Sequence, residues 1–208
     1  MSSINLHEFF KYYDEKNLNH VRAIQLLKNN LSNDLLSESS DWVKLYRNNK
    51  ALGEKIPDIG ISLIKQFEGC HLNAYPDPLS GGLPITIGWG STRKKNGLPF
   101  LIGDKITQLE ADELLIHQIK NQFLPPLKKI PYWNEMSDGK KGALISFAYN
   151  LGANFYGSEG FNTITNRLRN KEWDLVPDAL YLYRNPGSSV EKGLARRRLA
   201  EGESWKNN

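Results

Sequence analysis

The chain has 208 residues, of which 39% are hydrophobic and 24% charged, and this length allows one domain with a full core, with or without a small appendage. The formal net charge of +4 and the sequence pI of about 9.0 fit plain solubility or a polyanionic partner, either nucleic acid or an anionic cell wall. The single cysteine, Cys70, excludes an intramolecular disulfide, and we interpret it as a small buried apolar side chain rather than a nucleophile.

Residues 1–56 have the pattern of a small helical extension. Two apolar stripes at helical spacing support it: Leu6, Phe9, Phe10 and Tyr13, then Val21, Ile24, Leu27 and Leu31. We interpret this part as a structural extension, and a wall-binding or partner-binding module is the alternative. A boundary follows at Lys55-Ile56-Pro57-Asp58, so residues 57–208 are predicted to form the main domain.

The first element of the main domain is predicted to be an amphipathic helix that begins at Pro57 and ends near Gly69. We expect Gly69 to adopt a left-handed conformation and to terminate the helix, which places Glu68 in the last turn. The helix dipole and the apolar neighbour Phe67 both disfavour a charged carboxylate there, as a general acid requires. The alternative is that Glu68 is an ordinary surface residue at a helix end.

A second carboxylate follows nine residues after Glu68, at Asp77. The prolines on each side of it, Pro76 and Pro78, are expected to hold it in a turn between two strands. Two carboxylates brought together by a helix-to-strand turn can perform acid/base chemistry on a glycosidic bond. The alternative is that Asp77 is a plain turn residue.

A short strand is predicted next, because Ile85, Ile87 and Trp89 alternate with Thr86, Gly88 and Gly90. If the alternation holds, Thr86 shares a face with two glycines, and a bulky ligand could approach the backbone there. The alternative for the glycines is a β-bulge or a tight hairpin. A turn is predicted at residues 94–97, and residues 98–102 could form another strand.

The remainder of the chain is predicted to be helical. Thr107 and Glu110 form a capping box for a helix that Pro125-Pro126 should stop. A central core helix should start at Ser137 and close at Gly152, with Asn150 satisfying buried backbone rather than serving the site. Shorter helices are expected near residues 163–170, 176–184 and 190–205. The predicted fold class is therefore α+β and mostly helical, with a small antiparallel β-sheet.

Four separated segments together resemble the phage-type lysozymes, glycoside hydrolase family 24. They are residues 67–77 with Glu68 and Asp77, residues 86–92 (TIGWGST), residues 143–152 (ALISFAYNLG) and residues 193–201 (GLARRRLAE). They occur in the family's order and lie between about residue 57 and residue 206, so residues 1–56 are outside the resemblance. The resemblance implies a lysozyme-like two-lobed domain with the cleft between its lobes.

The resemblance also implies a role for each candidate catalytic residue. Glu68 matches the acid that protonates the leaving oxygen, Asp77 the carboxylate that orients or activates water, and Thr86 the threonine that helps to hold this water. The implied substrate is bacterial peptidoglycan, cut between N-acetylmuramic acid and N-acetylglucosamine. Neither a metal nor a cofactor is implied, and we expect a monomer without a nucleic-acid partner.

Two departures from the family pattern bear on these residues. Asp77 and Thr86 are nine residues apart, whereas the best-known members have a shorter hairpin, which weakens the case for Thr86. Ser91-Thr92 stands where many members have a histidine. One arginine of Arg196-Arg197-Arg198 is expected to brace the active-site lobe by pairing with a carboxylate, with the others solvated. Contact of these arginines with anionic wall polymers is the alternative.

Two other functions are compatible with the same residues. A lytic transglycosylase needs only the acid, and Asp77 argues against it because an added water must be positioned. A catalytically silent wall-binding protein would not need Glu68, Asp77 and Thr86. The sequence contains no apolar segment of membrane-spanning length and no secretory signal. We therefore expect no stable membrane insertion, accumulation in the host cytoplasm, and access to the wall after the membrane is opened.

Overall fold

A computed structural model of the chain describes residues 56–77 and 81–207. The predicted extension over residues 1–56 lies outside the described residues, apart from Ile56. The described chain falls into two compact units, one formed by Glu68–Ile116 and the other by Ile56–Phe67 together with His117–Asn208. The candidate catalytic residues Glu68, Asp77 and Thr86 all belong to the first of these, which we call the sheet unit, and we call the second the helical unit.

The sheet unit contains a two-stranded antiparallel sheet of β1 (His71–Pro76) and β2 (Ile85–Gly88). Tyr75 faces Thr86 across the two strands, and the register shifts between His71 and Tyr75. The other edge of β1 is paired by residues 104–106, because Ala74 N–H donates to the Asp104 carbonyl and Ile106 N–H to the Leu72 carbonyl, each at 2.9 Å. The small antiparallel sheet predicted from the sequence is confirmed.

The strand considered for residues 98–102 does not form. Within this stretch the structure has only a single bridge, between Pro99 and Arg93, and Leu101 and Ile102 are exposed. The backbone N–H of Leu101 is taken instead by Oδ2 of Asp104 at 3.0 Å, and Asp104 N–H donates to the Leu101 carbonyl at 3.1 Å. These bonds fold the segment into a turn, because a local aspartate competes for the donor that a strand would need.

The core of the sheet unit is formed by apolar side chains from both strands, the following loop and one helix. They are Ile85, Ile87, Phe100 and Leu114, with Ala74 and Ile106 packed against them. The helix is α2 (Gln108–Gln118). It begins with the predicted capping box, in which Thr107 N–H donates to Glu110 Oε2 at 2.7 Å and Glu110 N–H donates to Thr107 Oγ1 at 3.2 Å.

The prediction that Pro125-Pro126 stops this helix is wrong. After α2 the chain makes a π-helical turn over Ile119–Phe123 and continues into the short helix α3 (Leu124–Leu127). The two prolines lie in the first turn of α3. Proline is tolerated there because the first N–H groups of a helix need no intrahelical acceptor.

The helical unit is built around α4 (Asp138–Leu151). Four side chains of its predicted apolar face are fully buried, as is Ile145: Ala143, Leu144, Phe147 and Ala148. Leu151, also predicted on this face, is only half-buried. The predicted ends of α4 are confirmed. Ser137 Oγ accepts the Lys140 N–H at 3.3 Å, and Gly152 has a φ of 104°. The other helices are α1 (Asp58–Phe67), α5 (Asn162–Arg169), α6 (Val176–Tyr181) and α7 (Glu191–Lys206), with 3₁₀ turns at Trp133–Glu135 and Trp173–Leu175.

A close crossing of α1 and α4 depends on two facing glycines, Gly60 and Gly142. A Cβ atom on Gly60 would lie 3.1 Å from Cα of Gly142, and a Cβ on Gly142 would lie 2.5 Å from Cγ2 of Ile59. The absence of both side chains lets the two helix backbones approach. The apolar stripe of α1 is thereby buried against the central helix.

Candidate active site

Glu68 is the first residue after α1, because the helix ends at Phe67. Its side chain is half-buried. The prediction that Gly69 closes the helix in a left-handed conformation is wrong, since Gly69 is not among the glycines with positive φ. The chain instead leaves the helix through Glu68 and Gly69 and enters β1 at His71.

Asp77 directly follows β1, and its backbone is fixed by a tight loop as predicted. Its N–H donates to the Gly82 carbonyl at 3.0 Å, and its own carbonyl accepts the Gly81 N–H at 2.8 Å. Gly81 has a φ of 68°, a conformation that glycine adopts without steric cost. The predicted contribution of Pro78 lies outside the described residues. The Asp77 side chain is half-buried and so is neither sealed in the core nor fully solvated.

Thr86 lies on β2, and the four residues of this strand are all buried. Its Oγ1 donates to the Pro84 carbonyl over a long 3.5 Å. The predicted open face of Thr86, Gly88 and Gly90 does not form, because β2 ends at Gly88, and Gly88 and Gly90 both have positive φ. Ile87 and Ser91 exchange two backbone hydrogen bonds of 2.9 Å across this turn. The alternative interpretation of the two glycines, a tight hairpin, is therefore correct.

Tyr75, to which the sequence pattern assigns no role, is influenced by both candidate carboxylates and pairs with Thr86 in the sheet. Burial raises the pKa of its phenol, and the negative charges of Glu68 and Asp77 raise this pKa further. Both carboxylates therefore act electrostatically on one side chain, which also faces Thr86 across the sheet. The phenol stays protonated through the neutral range and can donate a hydrogen bond. One signal in the sequence could have identified Tyr75. It lies two residues before Asp77, and side chains two residues apart in an extended chain point to the same side.

The arginine cluster forms a buried network inside the helical unit, and it differs from the prediction. Arg197 and Arg198, rather than one arginine, are buried beside the fully buried Glu201, whereas Arg196 is exposed. Nε of Arg198 lies 3.0 Å from Oε2 of Glu201, and Nε of Arg197 lies 3.3 Å from Oε1. Ser146 Oγ donates to the same Oε1 at 2.7 Å.

Burial has the largest effect on the pKa of Arg198 in this network. It lowers the pKa of Arg198 to about 10, which leaves the guanidinium charged at neutral pH. Asn150 belongs to the network, since its Oδ1 accepts a 2.9 Å hydrogen bond from Arg198 Nη2. The prediction that Asn150 satisfies buried backbone is therefore wrong, and its partner is a side chain on α7.

Cys70 is half-buried, so the prediction of a buried side chain is wrong. Only Gly69 separates Cys70 from Glu68 in the sequence. Over the described ranges, no helix has the length and apolar character required to cross a membrane. The same ranges contain no group of three or more His, Cys, Asp or Glu side chains that could hold a metal ion.

The order of elements and the two carboxylates beside the first strand define a lysozyme-like α+β protein. The solved structure of an endolysin from Escherichia coli O157:H7 phage FAHEc1 superimposes with a TM-score of 0.60 at 25% identity, covering 74% of this chain and 95% of that one. The phage lysozyme family profile matches residues 65–201. The chain belongs to the phage lysozyme family, which confirms the resemblance seen in the sequence.

Two relatives show how much of the chain is shared. The endolysin of Lactococcus phage c2 is 33% identical over 147 residues, covering 71% of this chain and 58% of that protein. The chain thus spans less than two thirds of the length of this relative. The endolysin of Salmonella phage P22 is 30% identical over 146 residues, covering 69% of this chain and 93% of that protein.

Proposed function

We propose that this protein is an N-acetylmuramidase of glycoside hydrolase family 24 that hydrolyses the β-1,4 bond between N-acetylmuramic acid and N-acetylglucosamine in bacterial peptidoglycan. The observation that carries this proposal is the joint action of Glu68 and Asp77 on Tyr75. It indicates that the two carboxylates, which precede and follow β1 in the chain, both lie close enough to Tyr75 for their charges to act on it. Membership of the phage lysozyme family supports the substrate class.

In the proposed mechanism Glu68 is the general acid and donates its proton to the glycosidic oxygen as the bond breaks. Asp77 orients or activates the water that attacks the sugar from the opposite face, and two hydrogen bonds to Gly81 and Gly82 hold its backbone. Thr86 helps to hold this water. An acid and a base on opposite faces of the sugar ring give inversion of the anomeric configuration. Proton nuclear magnetic resonance of the first product formed tests this outcome.

The first experiment measures loss of turbidity of outer-membrane-permeabilised Gram-negative cells. Glu68→Gln keeps the shape of the side chain and removes the proton, so the lysis rate should fall by roughly two to four orders of magnitude. Glu159→Gln, at an exposed position of the helical unit, is the matched control and should lyse as fast as the wild type. If Glu68→Gln also lysed at the wild-type rate, the chemistry would lie elsewhere.

The products separate hydrolysis from transglycosylation. Mass spectrometry of digested wall should show hydrated reducing ends, because Asp77 positions a water. Anhydro ends would instead assign the protein to the lytic transglycosylases. Binding to purified wall without any new ends would support the silent wall-binding alternative.

We also propose that the protein accumulates in the host cytoplasm and meets its substrate after the membrane has been opened. Cells that produce it should remain turbid until chloroform is added and should then clear quickly. Clearing without chloroform would mean that the protein leaves the cytoplasm by itself.

A further inference from the structure

The sheet unit contains a pocket of about 400 Å³ that none of the candidate catalytic residues lines. This volume is within the range of small-ligand sites, about 300–1,000 Å³. Its floor is apolar and is formed by Phe100, Ile106 and Leu114. A floor of this kind suits small apolar groups such as methyl side chains.

The rim of the pocket carries charges of both signs that are mostly paired. Nζ of Lys94 lies 3.0 Å from Oδ2 of Asp104, and Nζ of Lys95 lies 2.7 Å from Oε2 of Glu113. Glu110 also lines the pocket, but its carboxylate is used in the capping box at the start of α2. These three carboxylates are therefore already engaged by protein groups.

Among the lysines of this rim, Lys105 differs from Lys94 and Lys95. Its side chain lines the pocket and is exposed, and no carboxylate pairs with it among the residues that the structure describes. Its backbone is held in place, because residue 105 forms a bridge with Asn73 of β1. A cation on a fixed backbone beside an apolar floor can bind a carboxylate that is attached to small apolar groups.

The floor of the pocket also contacts the strand of the candidate active site. Phe100 and Leu114 belong to one apolar cluster with Ile85 and Ile87, the two neighbours of Thr86. The pocket and the candidate catalytic residues are therefore parts of one packed unit. A ligand covalently attached to the glycan would raise its own local concentration at this pocket.

We propose that this pocket binds a short peptide with a free carboxylate and small apolar side chains, with Lys105 as the residue that contacts the carboxylate. The peptides that peptidoglycan carries on its muramic acid combine alanine methyl groups with free carboxylates. Only this choice of source rests on the proposed function. Peptide binding itself needs no catalysis and can be measured without it.

The test is isothermal titration of the full-length Glu68→Gln protein with the synthetic peptide L-Ala-D-isoglutaminyl-L-Lys-D-Ala, whose only carboxylate is the C-terminal one, and with the same peptide ending in an amide. Lys105→Gln in the same background should weaken binding of the acid by about fivefold, as expected for an exposed charge pair, and leave binding of the amide unchanged. Lys192→Gln, at an exposed position on α7, is the matched control and should change neither.

Three results would overturn the proposal: no binding of either peptide, equal weakening of both by Lys105→Gln, or the same weakening by Lys192→Gln. Amide signals of residues 94–105 should shift on titration of isotope-labelled protein, and shifts confined to other parts of the chain would also overturn it. Because every measurement uses the Glu68→Gln background, these outcomes are independent of the lysis experiment. Failure of the muramidase proposal would appear in that experiment alone.

Discussion

The indole N–H of Trp89 donates a 2.6 Å hydrogen bond to Oδ1 of Asp112, and both side chains are buried. Trp89 is the residue directly after β2, and Asp112 lies on α2. Gln108 Nε2 donates a second bond to the same oxygen at 3.0 Å. The bond between Trp89 and Asp112 therefore fixes the end of the strand that carries Thr86 onto a helix of the same unit.

Replacing Trp89 by Phe should lower the free energy of unfolding by about 1–3 kcal/mol, because a buried carboxylate oxygen loses a donor. Urea denaturation followed by circular dichroism measures the change. Asp112→Asn is the comparison, since it keeps the acceptor oxygen, and it should cost less. A larger loss for Asp112→Asn than for Trp89→Phe would mean that the charge of Asp112 contributes more to stability than the indole hydrogen bond.

Thr86→Val should reduce the rate of wall lysis by at least tenfold, of the order expected for loss of a positioned polar group. The two side chains have nearly the same shape, and the 3.5 Å bond from Oγ1 to the Pro84 carbonyl is too long to contribute much stability. The thermal midpoint should therefore stay within a few degrees of the wild type. Thr86→Ser keeps the hydroxyl and should retain most activity. Full activity of Thr86→Val would remove Thr86 from the site.

Glu201→Ala should destabilise the helical unit by about 3–5 kcal/mol, because it leaves the buried guanidinium groups of Arg197 and Arg198 without their carboxylate. Arg196→Ala, on the exposed side of the same helix, should change stability by no more than about 0.5 kcal/mol. Chemical denaturation of both variants gives the comparison. A mild effect of Glu201→Ala would show that water or a shifted side chain replaces the carboxylate.

The capping box of α2 should give the protein a pH-dependent stability. The Thr107 N–H and, next, its hydroxyl hold the pKa of Glu110 below its ordinary value of 4.5. The charged form is favoured in the folded state, so its stabilisation is present above pH 4.5 and is lost as the pH falls through the lower, folded-state pKa.

The thermal midpoint of Glu110→Gln should accordingly lie below that of the wild type at pH 7, and the difference should shrink at pH 3. Differential scanning calorimetry at the two pH values measures both midpoints. Glu159→Gln is the control for loss of a surface charge. A difference that stayed constant with pH would exclude the carboxylate of Glu110 as the source.

Gly142→Ala should destabilise the protein by about 1–3 kcal/mol, because the new Cβ would lie 2.5 Å from Cγ2 of Ile59 and 2.9 Å from the Gly60 backbone nitrogen. Gly193→Ala is the matched helix substitution, with nothing within 4 Å of the new atom, and it should stabilise α7 by up to about 1 kcal/mol. Thermal unfolding of the two variants should thus shift in opposite directions. Two shifts of the same sign would contradict the close crossing of α1 and α4.

Local chemistry predicted much of the helical structure. The capping box at Thr107, the cap at Ser137 and the closing Gly152 each act within a few residues, so their effects can be inferred from a short stretch. The apolar stripe of α1 and the buried face of α4 follow from helical periodicity. Two predictions of local structure fail because they depend on bonds that short patterns do not specify. The strand over residues 98–102 does not form because the Leu101 N–H donates to Asp104. The helix is not stopped by its prolines, because a π-helical turn places them in the first turn of α3.

The candidate site shows the same limit. Spacing and resemblance point to Glu68, Asp77 and Thr86. They give Tyr75 no role, because its importance depends on one charge seven residues before it and another two residues after it. The prediction for Asn150 fails because Arg198, its partner, is 48 residues away. Pairings over such distances are set by the packing of helices, which one sequence does not reveal.

The division of the chain into units has a consequence for its synthesis. The helical unit is interrupted in sequence, because α1 is followed by the whole of Glu68–Ile116 before His117 resumes that unit. On the ribosome α1 emerges long before α4 and α7, so its apolar side chains Ile61, Leu63 and Ile64 cannot pack against these two helices while the chain between them is still being made. The residues of the sheet unit are synthesised during this interval. The helical unit is completed only when the last helix has left the exit tunnel.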